Sequence, residues 1–251
     1  MRPPLRGGRI FAFLPKQSDS HRMLDHSFDV SIAQAKDIQE RLRHAVRLLP
    51  LSKEPQTIAG ADISYNRFSS DFFAAVVVLA YPSLEEVEQV FARGVATFPY
   101  VPGYLSFREL PTLLAAFEKL KTKPDVIMAD GQGIAHPRRL GLASHLGLAL
   151  DIPTFGCAKS MLYGEVHNEG GMSYLYDPKD RTKIGALVHT KKNTKPVVIS
   201  PGHLISLEDS VRIAQGCVRG YRIPEPTRRA HELVNAFRRG DVPANTGIID
   251  I

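Results

Sequence analysis

The sequence predicts an α/β fold in which helices flank one mixed sheet. Three observations carry this expectation. Strand-like segments bunch between residues 57 and 97, strand-like runs then alternate with helical patterns as far as residue 239, and no linker divides the chain. Its 251 residues are compatible with a single domain.

The elements follow in order. Residues 29–49 put Ile32, Ala35, Ile38, Leu42, Val46 and Leu49 on one helical face, and Pro50 and Pro55 end that helix. Thr57–Tyr65, Phe72–Tyr81 and Glu86–Thr97 read as strands. Turns at Asn66–Asp71 and Pro82–Glu85 join them into an antiparallel meander. Thr112–Leu120 reads as a helix with Leu113, Ala116, Phe117 and Leu120 on one side. Asp125–Asp130 is a short apolar run that ends in an acid, and Arg138–Leu150 is a helix apolar enough to be largely buried. Pro153–Ala158, Ile184–Thr190 and Pro196–Ser200 are further short strands. Ser206–Tyr221 is an amphipathic helix and Pro226–Arg239 the last one.

Composition narrows the class. A hydrophobic fraction of 43% and a charged fraction of 23% exclude collagen, coiled coil and wholesale disorder. Lys plus Arg total 32 against 26 Asp plus Glu, and a net charge of +6 suits a polyanionic partner. Two cysteines are too few for a disulfide scaffold, which favours a reducing, cytoplasmic setting. No apolar run approaches the roughly 20 residues of a membrane helix. Residues 1–23 hold four Arg and one acid, Asp19, and their apolar run Ile10–Leu14 is too short for a secretory signal. Residues 1–25 are expected to form a loosely ordered extension and 26–251 a single domain.

Chemistry-bearing residues lie at the ends of these elements. Gly60, Asp62 and Ser64 share one face of a strand, so small neighbours leave room around a carboxylate. Asp130 ends a buried run and precedes Gly131-Gln132-Gly133, the place where α/β proteins set their ligands. Glu109 has a rival explanation, because Ser106-Phe107-Arg108-Glu109 fits a capping box. A helix starting just before Pro111 would free it. Lys159 follows a strand and can set a positive charge near the acids, or simply be solvated. Cys157 is a possible thiol nucleophile with His136 or His203 as base, although a buried small residue explains it as well. His145 and His231 are open to the same double reading. Arg138-Arg139, Lys191-Lys192-Asn193-Thr194-Lys195 and Arg228-Arg229 are basic clusters, ordinarily solvated but suited to phosphates. Neither a dinucleotide fingerprint nor a GxxxxGK[ST] loop is present.

Five segments are more specific. They are Ala59-Gly60-Ala61-Asp62-Ile63-Ser64-Tyr65, Pro99–Glu109 (Pro-Tyr-Val-Pro-Gly-Tyr-Leu-Ser-Phe-Arg-Glu), Asp130–Arg139, Gly156-Cys157-Ala158-Lys159-Ser160 and Tyr221–His231. Their order and spacing over residues 30–238 resemble the endonuclease V family, deoxyinosine-directed nucleases of the ribonuclease H-like fold. The resemblance implies a metal-binding trio of Asp62, Glu109 and Asp130, with His231 completing the site and Lys159 beside the scissile phosphate. It implies that Tyr100, between Pro99 and Pro102, is a wedge entering the space of an extruded base. Gly103, Leu105 and Gly131 would line the pocket for that base, and His136 would lie near the active site. Arg138 and Arg139 join the expected substrate contacts. One departure is Gln132, where many relatives carry His.

Carboxylates in such a cluster hold hard cations, Mg²⁺ first and Mn²⁺ second. A cation there assists attack on phosphorus and departure of the leaving oxygen, with Lys159 neutralising developing charge. By resemblance, the bond cleaved is the second phosphodiester 3′ to inosine, leaving 3′-hydroxyl and 5′-phosphate ends. The expected partner is inosine-containing DNA or RNA and the expected state a monomer. Two alternatives stand beside this reading: a non-catalytic binder of inosine-bearing or structured nucleic acid, and a thiol hydrolase built on Cys157.

Overall fold

The structure, a computed structural model, describes residues 24–67 and 69–241. Most of the expected extension, residues 1–23, lies outside the described residues. Leu24 already packs against the core. Helix α1, Ile32–Leu42, comes first and continues into a 3₁₀ turn at Arg43–Ala45. The capping box that starts α1 uses Ser31 and Gln34. Three strands follow as an antiparallel meander: β1 (Thr57–Tyr65), β2 (Asp71–Ala80) and β3 (Glu86–Val95). Then come α2 (Leu105–Phe117), β4 (Val126–Ala129), α3 (Leu142–Leu150) and β5 (Thr154–Ala158). A hairpin, β6 (Glu165–Glu169) and β7 (Met172–Tyr176), precedes β8 (Lys183–Val188) and β9 (Val197–His203). Helices α4 (Leu207–Gly216) and α5 (Glu225–Arg239) close the fold.

The nine strands among the described residues form one sheet in the order β3-β2-β1-β4-β5-β9-β8-β7-β6. Only β1–β4 and β4–β5 pair in parallel, so the sheet is mixed, as expected. Alternation of side chains across the pleat decides which helix covers which face. Ile58, Met128, Phe155 and Ile199 face α4 and α5 through Val211, Ile213, Ala214 and Ala230. Ala59, Ala61, Ile127 and Ala129 face α2 and α3 through Leu110, Leu113, Ala116 and Leu146. Among the described residues, no helix is long and apolar enough to cross a membrane.

Several elements differ from the sequence expectation. α1 ends at Leu42 and its 3₁₀ turn at Ala45, short of Leu49, because Val46 is already extended. α2 begins at Leu105 rather than Thr112 and keeps Pro111 inside it. An internal proline costs about 3 kcal/mol. Burying Phe107, Leu110 and Leu113 almost completely recovers roughly 1.5–3 kcal/mol for each side chain, so tertiary packing overrides the break. The rival capping box at Ser106 does not form, since no side chain caps this helix and Ser106 Oγ instead pairs with His145 Nδ1 at 3.0 Å. α3 begins at Leu142 rather than Arg138, because Arg139 is in a left-handed conformation with φ 54°. α4 stops at Gly216, five residues short of Tyr221. The hairpin β6–β7 was not expected at all. β6 is polar and largely exposed, β7 is half-buried with Leu175 in the core, and the signal was the Gly170-Gly171 turn, with φ of 58° and 82°.

Candidate active site

The site grows from the face of β1 that carries Gly60, Asp62 and Ser64. A Cβ on Gly60 would lie 1.9 Å from the carbonyl oxygen of Pro226, so glycine is what lets α5 rest directly on the strand. α5 then runs along β1 in matched steps. His231 Nδ1 donates to Asp62 Oδ2 at 2.7 Å, and Ser64 Oγ donates to Asn235 Oδ1 at 2.9 Å. Asn235 Nδ2 stands 3.3 Å from His231 Nε2, which holds the ring from its other side. The second Asp62 oxygen accepts the backbone N–H of Ile63 at 2.8 Å.

β4 delivers the next acid. β1 and β4 pair in parallel up to Ala61 and Ala129, and the N–H of Asp130 donates to the Ala61 carbonyl at 3.1 Å. Asp130 therefore leaves the sheet beside Asp62. Ligand atoms of Asp62, Asp130 and His231 all lie within 4.8 Å of one another. Lys159, just past the end of β5, donates through Nζ to Asp130 Oδ2 at 2.6 Å. Glu109 approaches from α2. It stands outside that 4.8 Å group, yet near enough for both aspartates to act on it.

Charge in this cluster is only partly balanced. Burial pushes the Glu109 carboxyl well up, and the nearby charges of Asp62 and Asp130 push it the same way. Asp130 is also raised, by burial and then by Asp62, with Lys159 working against the shift. His231 is raised chiefly by its hydrogen bond to Asp62. For Lys159, burial acts downward, but the attraction and hydrogen bond of Asp130 leave it raised. Oxygen donors short of positive charge are what a hard divalent cation binds. The residues present therefore fit such an ion, with Asp62, Asp130 and His231 grouped closely enough to hold it and Glu109 beside them.

Beside the acids, two loops lock together through one backbone carbonyl. Gly103, at φ 82°, turns its oxygen to three donors: Gln39 Nε2 at 3.0 Å, His136 Nε2 at 3.0 Å and Arg138 Nη2 at 2.8 Å. A donating Nε2 fixes the His136 tautomer, and Nδ1 accepts the Arg138 N–H at 3.2 Å. Burial and then Arg138 lower His136 to about 4, so it is neutral. Tyr100 projects from the same loop and is 65% exposed. Leu105 and Gly131 are partly open to solvent, as pocket walls would be.

Several expected contacts turn out to be internal. The Arg138 guanidinium is spent on Gly103 and Gln39 and lies over the Tyr104 ring at 4.2 Å. Arg139 is held by Asp177 at 2.9 Å and Asp180 at 2.6 Å. Both tie loops together instead of offering a free edge to phosphate, and Arg228 and Arg229 are likewise paired with Glu225. Cys157 is 1% exposed and burial pushes its thiol up to about 12, which removes it as a nucleophile. His145 and His203 lie in the core.

Two residues not given a role by the sequence join the site's framework. Arg222 donates to the carbonyls of Lys159 at 2.6 Å and Lys195 at 2.7 Å, pinning the loop that presents Lys159. Gln132 Nε2 donates to the Ser160 carbonyl at 2.9 Å, bridging the loops that follow Asp130 and Lys159, while its buried Oε1 has no partner among the described residues. Their signal was position within the matched segments, not residue type.

Comparison with known proteins agrees with this geometry. Residues 40–232 match the sequence model of the family described as Endonuclease V. An endonuclease V of Gloeobacter violaceus is 42% identical over 235 residues, covering 92% of this chain and 95% of the relative. The crystal structure of an endonuclease V from Streptomyces avermitilis superposes with a TM-score of 0.78 at 36% identity, over 86% of this chain and 96% of that one. An endonuclease V from Ciona intestinalis, solved with DNA containing an inosine followed by a ribo-adenosine, gives a TM-score of 0.76 at 28% identity, over 84% of this chain and 99% of that one. The fold is thus ribonuclease H-like, as the resemblance implied.

Proposed function

This chain belongs to the endonuclease V family, and from that premise we propose that it is a metal-dependent endonuclease acting on inosine-containing nucleic acid. It cuts the second phosphodiester bond 3′ to inosine and leaves 3′-hydroxyl and 5′-phosphate ends. The observation that carries this reading is the convergence of Asp62, Asp130 and His231 within 4.8 Å, with Lys159 on Asp130.

Asp62, Glu109 and Asp130 hold Mg²⁺, or Mn²⁺ in its place, and His231 completes the site. When bound, the ion makes water a competent nucleophile and stabilises the departing oxygen. The chain's own groups do the rest. Lys159 neutralises charge that develops on the phosphate. His231, held between Asp62 and Asn235, keeps the Asp62 carboxylate oriented. Tyr100 enters the gap left by the extruded hypoxanthine, whose extrusion costs a few kcal/mol. Gly103, Leu105 and Gly131 line the pocket that receives the base, and the Gly103 carbonyl is fixed by His136 and Arg138. A pocket closed around hypoxanthine excludes the extra amine of guanine. The fold acts as a single domain and a monomer, and a cytoplasmic setting suits its two free, buried thiols.

The test uses purified protein with single inosines in otherwise matched DNA and RNA strands. Cleavage is expected with Mg²⁺ and lost with a chelator or on Asp130→Ala. No scission of either strand with the ion present would remove the proposal. Binding without scission would favour a non-catalytic reader.

A further inference from the structure

Tyr65 ends β1 three residues past Asp62, and nothing in the site described so far uses it. β1 pairs with β4 only as far as Ala61, so Asp62 to Tyr65 form an edge with no β4 partner. Tyr65 is 39% exposed, and its ring lies flat on Phe72, with centroids 4.5 Å apart and planes 10° from parallel. That stack fixes one face of the ring. The guanidinium of Arg108 stands 5.9 Å from the Tyr65 centroid, 5.1 Å from that of Phe72 and 5.8 Å from that of Tyr100. No ion pair holds Arg108 among the described residues, and its Nε is buried without a hydrogen-bond partner. One cation therefore braces two exposed phenols, Tyr100 at 65% and Tyr65 at 39%.

We propose that Tyr65, backed by Phe72 and Arg108, is a stacking surface for an unpaired nucleobase flanking the inosine. The inference rests on the nuclease reading and extends it to a contact for the neighbouring nucleotide. An aromatic face beside a cation is what a polyanionic strand with flat bases recognises. The chain also links this surface to the chemistry. Tyr65 shares β1 with Asp62, and Arg108 directly precedes Glu109 on α2. Three residues along a strand span about 10 Å and project to opposite faces, so Tyr65 lies on the α2 side with Arg108, next to Glu109, while Asp62 faces α5. A base seated there fixes the phosphate that follows it.

The experiment measures binding of two single-stranded oligonucleotides, each with one inosine, in Ca²⁺ so that binding is read apart from cleavage. One carries ordinary bases around the inosine, and the other carries abasic linkers at the flanking positions. The parent should bind the base-bearing strand about 5- to 150-fold more tightly, the range of one aromatic stack. Tyr65→Ala should lose most of that ratio and Tyr65→Phe should keep it. Because both strands meet the same protein, a variant that is merely less stable does not alter the ratio. An unchanged ratio in Tyr65→Ala, or none in the parent, overturns the inference. Failure of the parent to prefer inosine over adenosine would instead count against the nuclease reading.

Discussion

Replacing Gly60 by alanine adds one methyl group, and the structure says where it goes. The new Cβ would stand 1.9 Å from the Pro226 oxygen, 2.2 Å from its carbonyl carbon and 2.9 Å from its Cα. These are backbone atoms, so no side chain can rotate away. Reaching ordinary contact requires the first turn of α5 to move off β1 by about 1 Å or more. Overpacking of this kind costs about 1–3 kcal/mol, or a fall in Tm of roughly 2–12 °C at this chain length. The functional cost should be larger. α5 carries His231, whose 2.7 Å bond to Asp62 cannot survive such a shift unchanged, and a 1 Å misplacement near the chemistry lowers rates about 100-fold. Thermal unfolding and single-turnover cleavage of an inosine strand measure the two effects separately. A Gly60→Ala protein with parental Tm and rate would refute the claim that this close approach positions the site.

Further outcomes follow from the same structure. Lys159→Gln should lower kcat by about 100-fold or more without weakening Mn²⁺ binding measured by calorimetry, because the lysine competes with a cation for Asp130; weaker binding would contradict that placement. Cys157→Ala should cleave at the parental rate, since its thiol is buried and pushed up to about 12; a large loss of turnover at unchanged Tm would revive a role for sulfur. His145 is lowered from 6.5 to about 3 by burial and then by His26. The unfolded chain therefore binds the extra proton first. The stability from a neutral His145 is complete above pH 6.5 and is lost as the pH falls through the window toward 3. By pH 5 the loss should be about 2 kcal/mol. Urea midpoints at pH 7 and pH 5 should drop less in His145→Asn than in the parent, and equal drops would exclude His145 as the source.

How much of this was legible in the sequence depended on the kind of information each feature uses. The meander β1–β3 and the runs that became β4 and β5 are local hydrophobic patterns, and they were readable as such. The first half of α2 was not. Its apolar residues sit around Pro111, and only contact with Phe98, Leu140 and the face of β1 makes a helix there worth its cost. The pairing of Asp62 with Asp130 was foreseen as family pattern, while its cause, the parallel register of Ala61 with Ala129, is invisible in one dimension. Charge misled in the opposite direction. Arg138 and Arg139 look like phosphate ligands in a list of residues, but their partners Gln39, Asp177 and Asp180 come from distant parts of the chain. A cationic pair announces itself in sequence, and the anion that satisfies it does not.

The same reasoning explains why the proposed catalytic groups come from four separate segments rather than one. Carboxylates crowded along a single strand would repel in the unfolded chain as well as in the folded one, and folding would change their interaction little. Taken from β1, α2 and β4, they are far apart until the sheet closes, so their mutual repulsion and the burial of Glu109 appear only in the folded state. That cost is met partly by Lys159 and His231 and partly by the hydrophobic contacts that fasten α5 and α2 to opposite faces of the sheet. A divalent ion bound there would relieve what remains. Ion binding and fold stability are therefore linked through the same carboxylates, and the elements whose closure creates the repulsion are the ones that set the acids where a cation would bind.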